Sequence, residues 1–162
     1  MYERWTSLVP YWSLLSHVAA ERERQKNDFE STRNYAKRPH FVGLCGELVY
    51  AIGRDKELNA DLLINGDGHK DFTGVSGKRV DIKTTTHWDK PLLLWDTNYE
   101  RKAGPADVLV LGTVDMDKRR GALVGWCLGE KILTAPQLDF GYGNRHFIEG
   151  GELCRFPRKR PF

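Results

Sequence analysis

Lys78-Arg79-Val80-Asp81-Ile82-Lys83-Thr84-Thr85 (KRVDIKTT) is the stretch on which the fold turns. Its β-branched residues and period-two alternation read as a strand. Alternate residues of a strand share a face, so Asp81 and Lys83 point one way and Val80 and Ile82 the other. An acid and a lysine side by side, backed by an apolar face, is an unusual way to finish a strand that enters a core. Just upstream, Asp71–Val75 (DFTGV) is a shorter alternating run, separated from the first by Ser76-Gly77. The two runs predict a β-hairpin.

Before the hairpin the periodicity is helical. Residues 11–35 (YWSLLSHVAAERERQKNDFESTRNY) predict a helix opened by Pro10 and laced with alternating charge. Pro39 separates it from a second helix, Phe41–Arg54, in which Phe41, Leu44, Leu48 and Ile52 form the expected buried stripe. After the hairpin come Leu92–Trp95 and then Asp107–Val114 (DVLVLGTV), whose lack of alternation suggests a central strand covered on both faces. A charged turn at 115–120 leads to a strand at Ala122–Leu128 and a short helix at Glu130–Leu133. Tyr142-Gly143 reads as loop, and residues 146–154 as a short edge strand. The expected fold class is α/β, a mixed central sheet flanked by helices.

The 162 residues fit one domain with a real core. Its parts are an N-terminal helix at 11–35, a core of about 40–133, and a basic tail at 155–162 containing Arg155, Arg158, Lys159 and Arg160. A terminal charge run of this kind is usually a solvated, frayed end, although it also suits phosphate contacts. No apolar run approaches the ~20 residues that span a bilayer, so no membrane partner is expected. The opening YERWTSLVPYW lacks the blocks of a signal peptide. Cys45, Cys127 and Cys154 are widely spaced, with no zinc-ligand pattern, and imply free thiols in a reducing, cytoplasmic compartment. A net charge of +3 permits a nucleic-acid partner without demanding one.

Two further acids can reach the Asp81/Lys83 face. Asp71 lies ten residues before Asp81 on the partner strand. Glu47 lies on the second helix, where Gly43, Gly46 and Ala51 would let the backbone approach the hairpin, with Tyr50 on the same face. Strand geometry sets a condition. A two-residue turn at Ser76-Gly77 would put Asp71 on the Ile82 face, the wrong side. An odd connection such as Ser76-Gly77-Lys78, which sets Asp71 opposite Lys83, or a β-bulge is therefore expected, with Gly77 or Lys78 at positive φ. Asp61 and Asp67 are the alternatives for this acid.

Phosphodiester hydrolysis needs a nucleophilic water and a stabilised pentacovalent phosphorane. Mg²⁺ held by hard carboxylate oxygens supplies both, and a nearby lysine can orient or deprotonate the water or offset phosphate charge. With Glu47, Asp71, Asp81 and Lys83 in this order, GLCGELVYA … KDFTGVSGKRVDIKTTTHW resembles the core of the PD-(D/E)XK, or restriction-endonuclease-like, nuclease superfamily. The later GPADVLVLGTVD … GALVGWCLGEKIL is similar to the strand pair that follows in many small members, often from phage or mobile elements. The likeness spans about residues 40 to 133. It implies Glu47 as the helix-borne acid, Asp71 as the first motif aspartate, and Asp81 and Lys83 as the (D/E)XK pair. It implies Mg²⁺, or Mn²⁺, on Glu47, Asp71, Asp81 and the Ile82 carbonyl, and a deoxyribonuclease activity. Lys70 stands where the name-giving motif has proline.

Each residue also has a plainer reading. Asp81 and Lys83 could be a surface charge pair and Glu47 a solvated helix residue. The whole chain could be a non-catalytic nucleic-acid-binding or assembly protein on the same fold. Thr85 and His87 continue the Asp81/Lys83 face and Trp88 follows them, so these three are the expected nucleic-acid contacts, with Trp88 able to stack on a base. Trp95 and Trp126 are expected in the core, and His40 and His69 on the surface. Arg22, Arg24 and Lys26 suit either phosphate contacts or a salt-laced helix face. Substrate sequence, strand requirement and oligomeric state have no signature here.

Overall fold

The computed structural model describes residues 4–26, 39–56, 71–74, 77–96, 104–141 and 143–157. Two helices lie on one face of a mixed sheet: α1 (Trp12–Lys26) and α2 (Pro39–Arg54). The sheet contains β1 (Thr6–Ser7), β2 (Phe72–Thr73), β3 (Arg79–Thr85), β5 (Val108–Asp115) and β6 (Arg120–Leu128), in the order β1-β6-β5-β3-β2. β3 and β5 run parallel and the other pairs antiparallel. β5 is buried nearly throughout, as a central strand with little alternation must be. A β-bulge between Leu111 and Gly112 shifts its register with β6 and helps curl the sheet.

β4 (Leu92–Asp96) and β8 (Asn144–Glu149) correct the expectation of one sheet. With β7 (Gln137–Asp139) they form a second, three-stranded sheet, in the order β4-β8-β7. β8 is thus a middle strand rather than an edge, and residues 150–152 turn away as a short 3-10 helix. Alternation in β4 puts Leu93 and Trp95 inward, where they meet Leu109, Leu111, Ile148 and Ile132 of α3 (Gly129–Leu133) in a second core. The helices cover the opposite face of the main sheet, packing Leu15, Phe41, Leu44 and Leu48 on Val80, Ile82, Val110 and Leu123.

Pro39 opens α2 instead of separating it from α1, which suits a residue with no N–H to leave unpaired in a first turn. α2 lies between α1 and the strands β3, β5 and β6. It is therefore buried almost all round, and the inward set is Phe41, Leu44, Cys45, Leu48, Val49 and Ala51, while Ile52 faces solvent. In α1 the inward stripe is Leu15, Val18 and Ala19; residues 27–35 of the expected helix lie outside the described residues. The start of the basic tail is anchored, not frayed. Arg155 O accepts the Trp126 indole N–H at 3.2 Å, and Phe156 packs on the first core with the Arg54 guanidinium over its ring. Residues 158–162 lie outside the described set. No helix among the described residues is long and apolar enough to cross a membrane.

Candidate functional site

The four acid and lysine positions come to the margin of the main sheet by three local devices. The first is a close approach of α2 to β3. A Cβ at Gly46 would overlap the Thr84 hydroxyl, so only glycine lets the helix lie so near, whereas Gly43 has open space around it. Gly46 precedes Glu47, which is 9% exposed. One turn on, the Tyr50 ring meets Phe72 of β2 with centroids 4.9 Å apart, drawing the start of the hairpin to the helix.

The second device is the hairpin register. Phe72 pairs with Val80 and Thr73 with Arg79, and Gly74 N–H donates to Lys78 O at 2.7 Å. The connection between Gly74 and Lys78 is therefore three residues long, and Gly77 has φ +73°. It is odd, as strand parity demands, but one residue earlier than Ser76-Gly77-Lys78: Phe72 stands opposite Val80 and the Asp71 N–H also turns to Val80 O, so Asp71 does not come level with Lys83.

The third device is Asp71 itself, just before the start of β2. Its backbone N–H donates to Val80 O at 2.8 Å, and its Oδ2 accepts from Ile82 N–H at 2.6 Å. Asp71 thus continues the ladder along β3 with a side chain where the strand has stopped. N–H and C=O of one strand residue point to the same side, so the Ile82 carbonyl is directed to this margin too.

Val80 and Ile82 face α2, while Asp81 pairs with Leu109 and Lys83 with Leu111, both of the second core. Glu47 and Asp81 accordingly approach from opposite faces of the sheet, and Asp71 stands at the rim where the faces meet. Burial, then the charge of Glu47, then that of Asp81 push its carboxyl from 3.8 up to about 8, against the opposing Ile82 N–H and Lys83 charge. Asp81 is 5% exposed, and its Oδ2 lies 2.7 Å from Lys83 Nζ. This contact is ionic, for the same oxygen has no well-directed hydrogen bond. The Lys83 ammonium reaches half-open surface, 5.5 Å from the centre of the buried Trp95 ring.

Arg22 is the residue that sequence reasoning misplaced. It continues the inward stripe of α1, four residues after Val18. Its Nη1 and Nη2 donate to the two Glu47 carboxylate oxygens at 3.2 and 3.3 Å, with both side chains 12% exposed. Arg24 does lie on an outer salt-laced face, paired with Glu21. Among the described residues, no three Asp, Glu, His or Cys side chains are gathered in a cation-ligating arrangement.

No family model, curated protein or solved structure matches this chain.

Beyond Lys83, Thr85 is half-buried and its hydroxyl accepts His87 N–H at 3.1 Å. His87 and Trp88 are exposed, Trp88 to 50%. Trp126 is only partly buried, with its indole N–H committed to Arg155. His40 is intermediate in exposure, and His69, Asp61 and Asp67 lie outside the described residues. A cleft of about 570 Å³ at the other end of β3, lined by Lys78, Asp107 and Glu130 among others, contains none of the four site residues.

Proposed function

We propose that this chain is a Mg²⁺- or Mn²⁺-dependent nuclease of restriction-endonuclease-like fold that hydrolyses phosphodiester bonds in DNA. The observation that carries the reading is Asp71, held at the sheet margin by Ile82 N–H while two other carboxylates, Glu47 and Asp81, crowd it. Two carboxylates acting on a third from either side disfavour its charged form, a penalty that a divalent cation at Asp71 would relieve. The donors suit such an ion: Mg²⁺ prefers hard oxygens and commonly uses only one or two carboxylates, leaving other positions to water and phosphate. Asp71, Asp81 and the Ile82 carbonyl would hold it, with Glu47 completing the set. When bound, it would polarise the phosphate and lower the pKa of a water.

The chain's own residues supply the rest. Lys83, charged and half-exposed beside Asp81, orients the attacking water and offsets charge on the phosphate. The water oxygen bonds to phosphorus, one P–O ester bond breaks, and the departing oxygen takes up a proton. His87 and Trp88, exposed just past the end of β3, contact the nucleic acid, Trp88 through a base face.

The Arg22–Glu47 pair favours one alternative, a non-catalytic nucleic-acid-binding or assembly protein on the same fold, in which Glu47 serves only to join α1 to α2. Cleavage of labelled plasmid, linear duplex and single-stranded DNA, with Mg²⁺, Mn²⁺ or EDTA, separates the two. The nuclease reading expects cation-dependent products that Asp81→Ala abolishes. DNA binding without cleavage under every condition supports the alternative.

A further inference from the structure

Lys118, Arg119 and Arg120 follow one another at the turn between β5 and β6, and a tryptophan lies under each arginine. The Arg120 guanidinium is 4.4 Å from the centre of the Trp5 ring, and that of Arg119 is 5.4 Å from the centre of the Trp12 ring. Trp12 is fixed in turn by the buried Phe41, which it meets edge to face with centroids 4.7 Å apart. The turn is held from two sides. Asp115, buried at its base, accepts Lys118 N–H at 3.1 Å and Arg120 Nε–H at 3.2 Å, while Arg119 O accepts Leu8 N–H at 2.8 Å. Arg119 has φ +47°, a left-handed conformation that glycine adopts more readily than arginine. A long cationic side chain is therefore kept at a position where the backbone favours none, which points to a use for that side chain.

Stacking on a ring occupies the face of a guanidinium, and its N–H groups lie in the plane and point outward from the edge. Lys118 and Arg119 are exposed, and among the described residues no side chain ion-pairs or hydrogen-bonds with the Lys118 ammonium or the Arg119 guanidinium. The Asp115 carboxylate is committed inside the turn, and Asp117 is its exposed acid. β3 and β5 run parallel with Thr85 beside Thr113, so the turn leaves the sheet at the same end as His87 and the exposed Trp88. We propose that the β5–β6 turn, backed by Trp5 and Trp12, is a nucleic-acid-binding surface on which Lys118 and Arg119 hold backbone phosphates. A nucleic acid is favoured over an acidic peptide because it brings flat base faces beside its phosphates, and exposed aromatic and imidazole rings stand at this end of the sheet. The surface requires neither metal nor cleavage, so it goes beyond the nuclease reading and holds equally for the non-catalytic alternative.

The test is fluorescence anisotropy of a short labelled DNA, single-stranded and duplex, titrated with the full chain in EDTA at several salt concentrations. Lys118→Gln and Arg119→Asn should each weaken binding to both forms roughly tenfold, the worth of one charge-assisted contact. Each should also lower the slope of log affinity against log salt by about 0.7–0.9, the share of one phosphate contact, which a purely structural role would leave unchanged. Asparagine tolerates positive φ, so the turn should keep its shape. Lys118→Gln removes no ion pair or hydrogen bond of that side chain within the protein, and it keeps the test decisive if the asparagine variant is destabilised. Affinity and salt slope unchanged in both variants would overturn the proposal, as would wild-type protein that binds neither form of DNA. Polyglutamate binding as tightly as DNA would overturn it too, making the turn a dock for an acidic protein. Binding that depends on Lys118 and Arg119 supports the surface even if Mg²⁺ yields no cleavage, a result that would count against the nuclease reading alone.

Discussion

Asp71→Asn isolates the cost of the crowded acid. Asparagine has nearly the same shape and can still accept Ile82 N–H, so the variant removes charge and little else. In the fold the Asp71 carboxyl keeps its proton to about pH 8, whereas the unfolded chain releases it near 3.8. The protonated form is the one the fold favours, so this site's contribution is intact below about pH 3.8 and is lost as pH rises to about 8. At about 1.4 kcal/mol per tenfold change in proton affinity, the cost above pH 8 has an upper limit of about 6 kcal/mol. Asp71 keeps some contact with water, and screening lowers the expected effect to about 2 kcal/mol. For a chain of this size that is a rise in Tm of roughly 4–8 °C for Asp71→Asn at pH 8. Thermal melts from pH 4 to 8.5 provide the assay. The two proteins should converge near pH 4 and diverge steadily above it, and Mg²⁺ at pH 8 should narrow the gap by stabilising only the wild type. Parallel curves over the whole range would refute the claim that Asp71 carries this penalty.

Three other expectations have direct checks. Lys83→Ala should lose turnover while keeping Mg²⁺ and DNA binding, and Asp81→Ala should lose turnover and weaken Mg²⁺ binding, as gel cleavage and calorimetry would record. Gly46→Ala should destabilise the fold by about 1–3 kcal/mol in urea denaturation, because the new methyl group would displace Thr84 or push α2 off β3. In the native protein Cys154 should react with a thiol reagent, while Cys45 and Cys127 stay unmodified until unfolding. Both of these are buried, and burial raises the Cys127 thiol to about 11.

The legible parts of this fold were those in which one pattern has one meaning. Alternation from Val80 to Lys83 identified β3 and its two faces, and strand parity required the odd connection and the positive φ found at Gly77. The unbroken apolar run of β5 identified the sheet centre. What alternation cannot convey is the partner. Leu93 and Trp95 marked β4 as a strand, yet nothing local says that it pairs with β8 in a second sheet. β1 and β7 are two and three residues long, too short to show a period. In α2 the stripe rule selected Ile52 over Ala51 because it assumes one buried face, and this helix is enclosed from two sides. Arg22 had a signal, its spacing from Val18, but Glu21, Glu23 and Arg24 around it resemble an outer charged face. Their order in the sequence suggested that Glu47 and Asp81 lie near Asp71, and the charges of both do act on it; their approach from opposite faces of the sheet was not legible, since it depends on where β2 begins after Asp71.

The pairing of β4 with β8 also shapes how the chain must acquire its structure. β3 and β5 are parallel neighbours, so the segment carrying β4 has to loop out between them, and its hydrogen-bonding partner is not made until residues 144–149. During synthesis Leu93 and Trp95 therefore lack Ile148 and the strand that pairs with theirs while the main sheet closes. Non-local strand pairing of this kind is slow and leaves sticky surface exposed. Lys83, whose ammonium lies over Trp95, sits where the late-forming layer meets the early one. A ribosome-bound chain ending before Asn144 would carry Glu47, Asp71, Asp81 and Lys83 while the strand beside Trp95 is still missing.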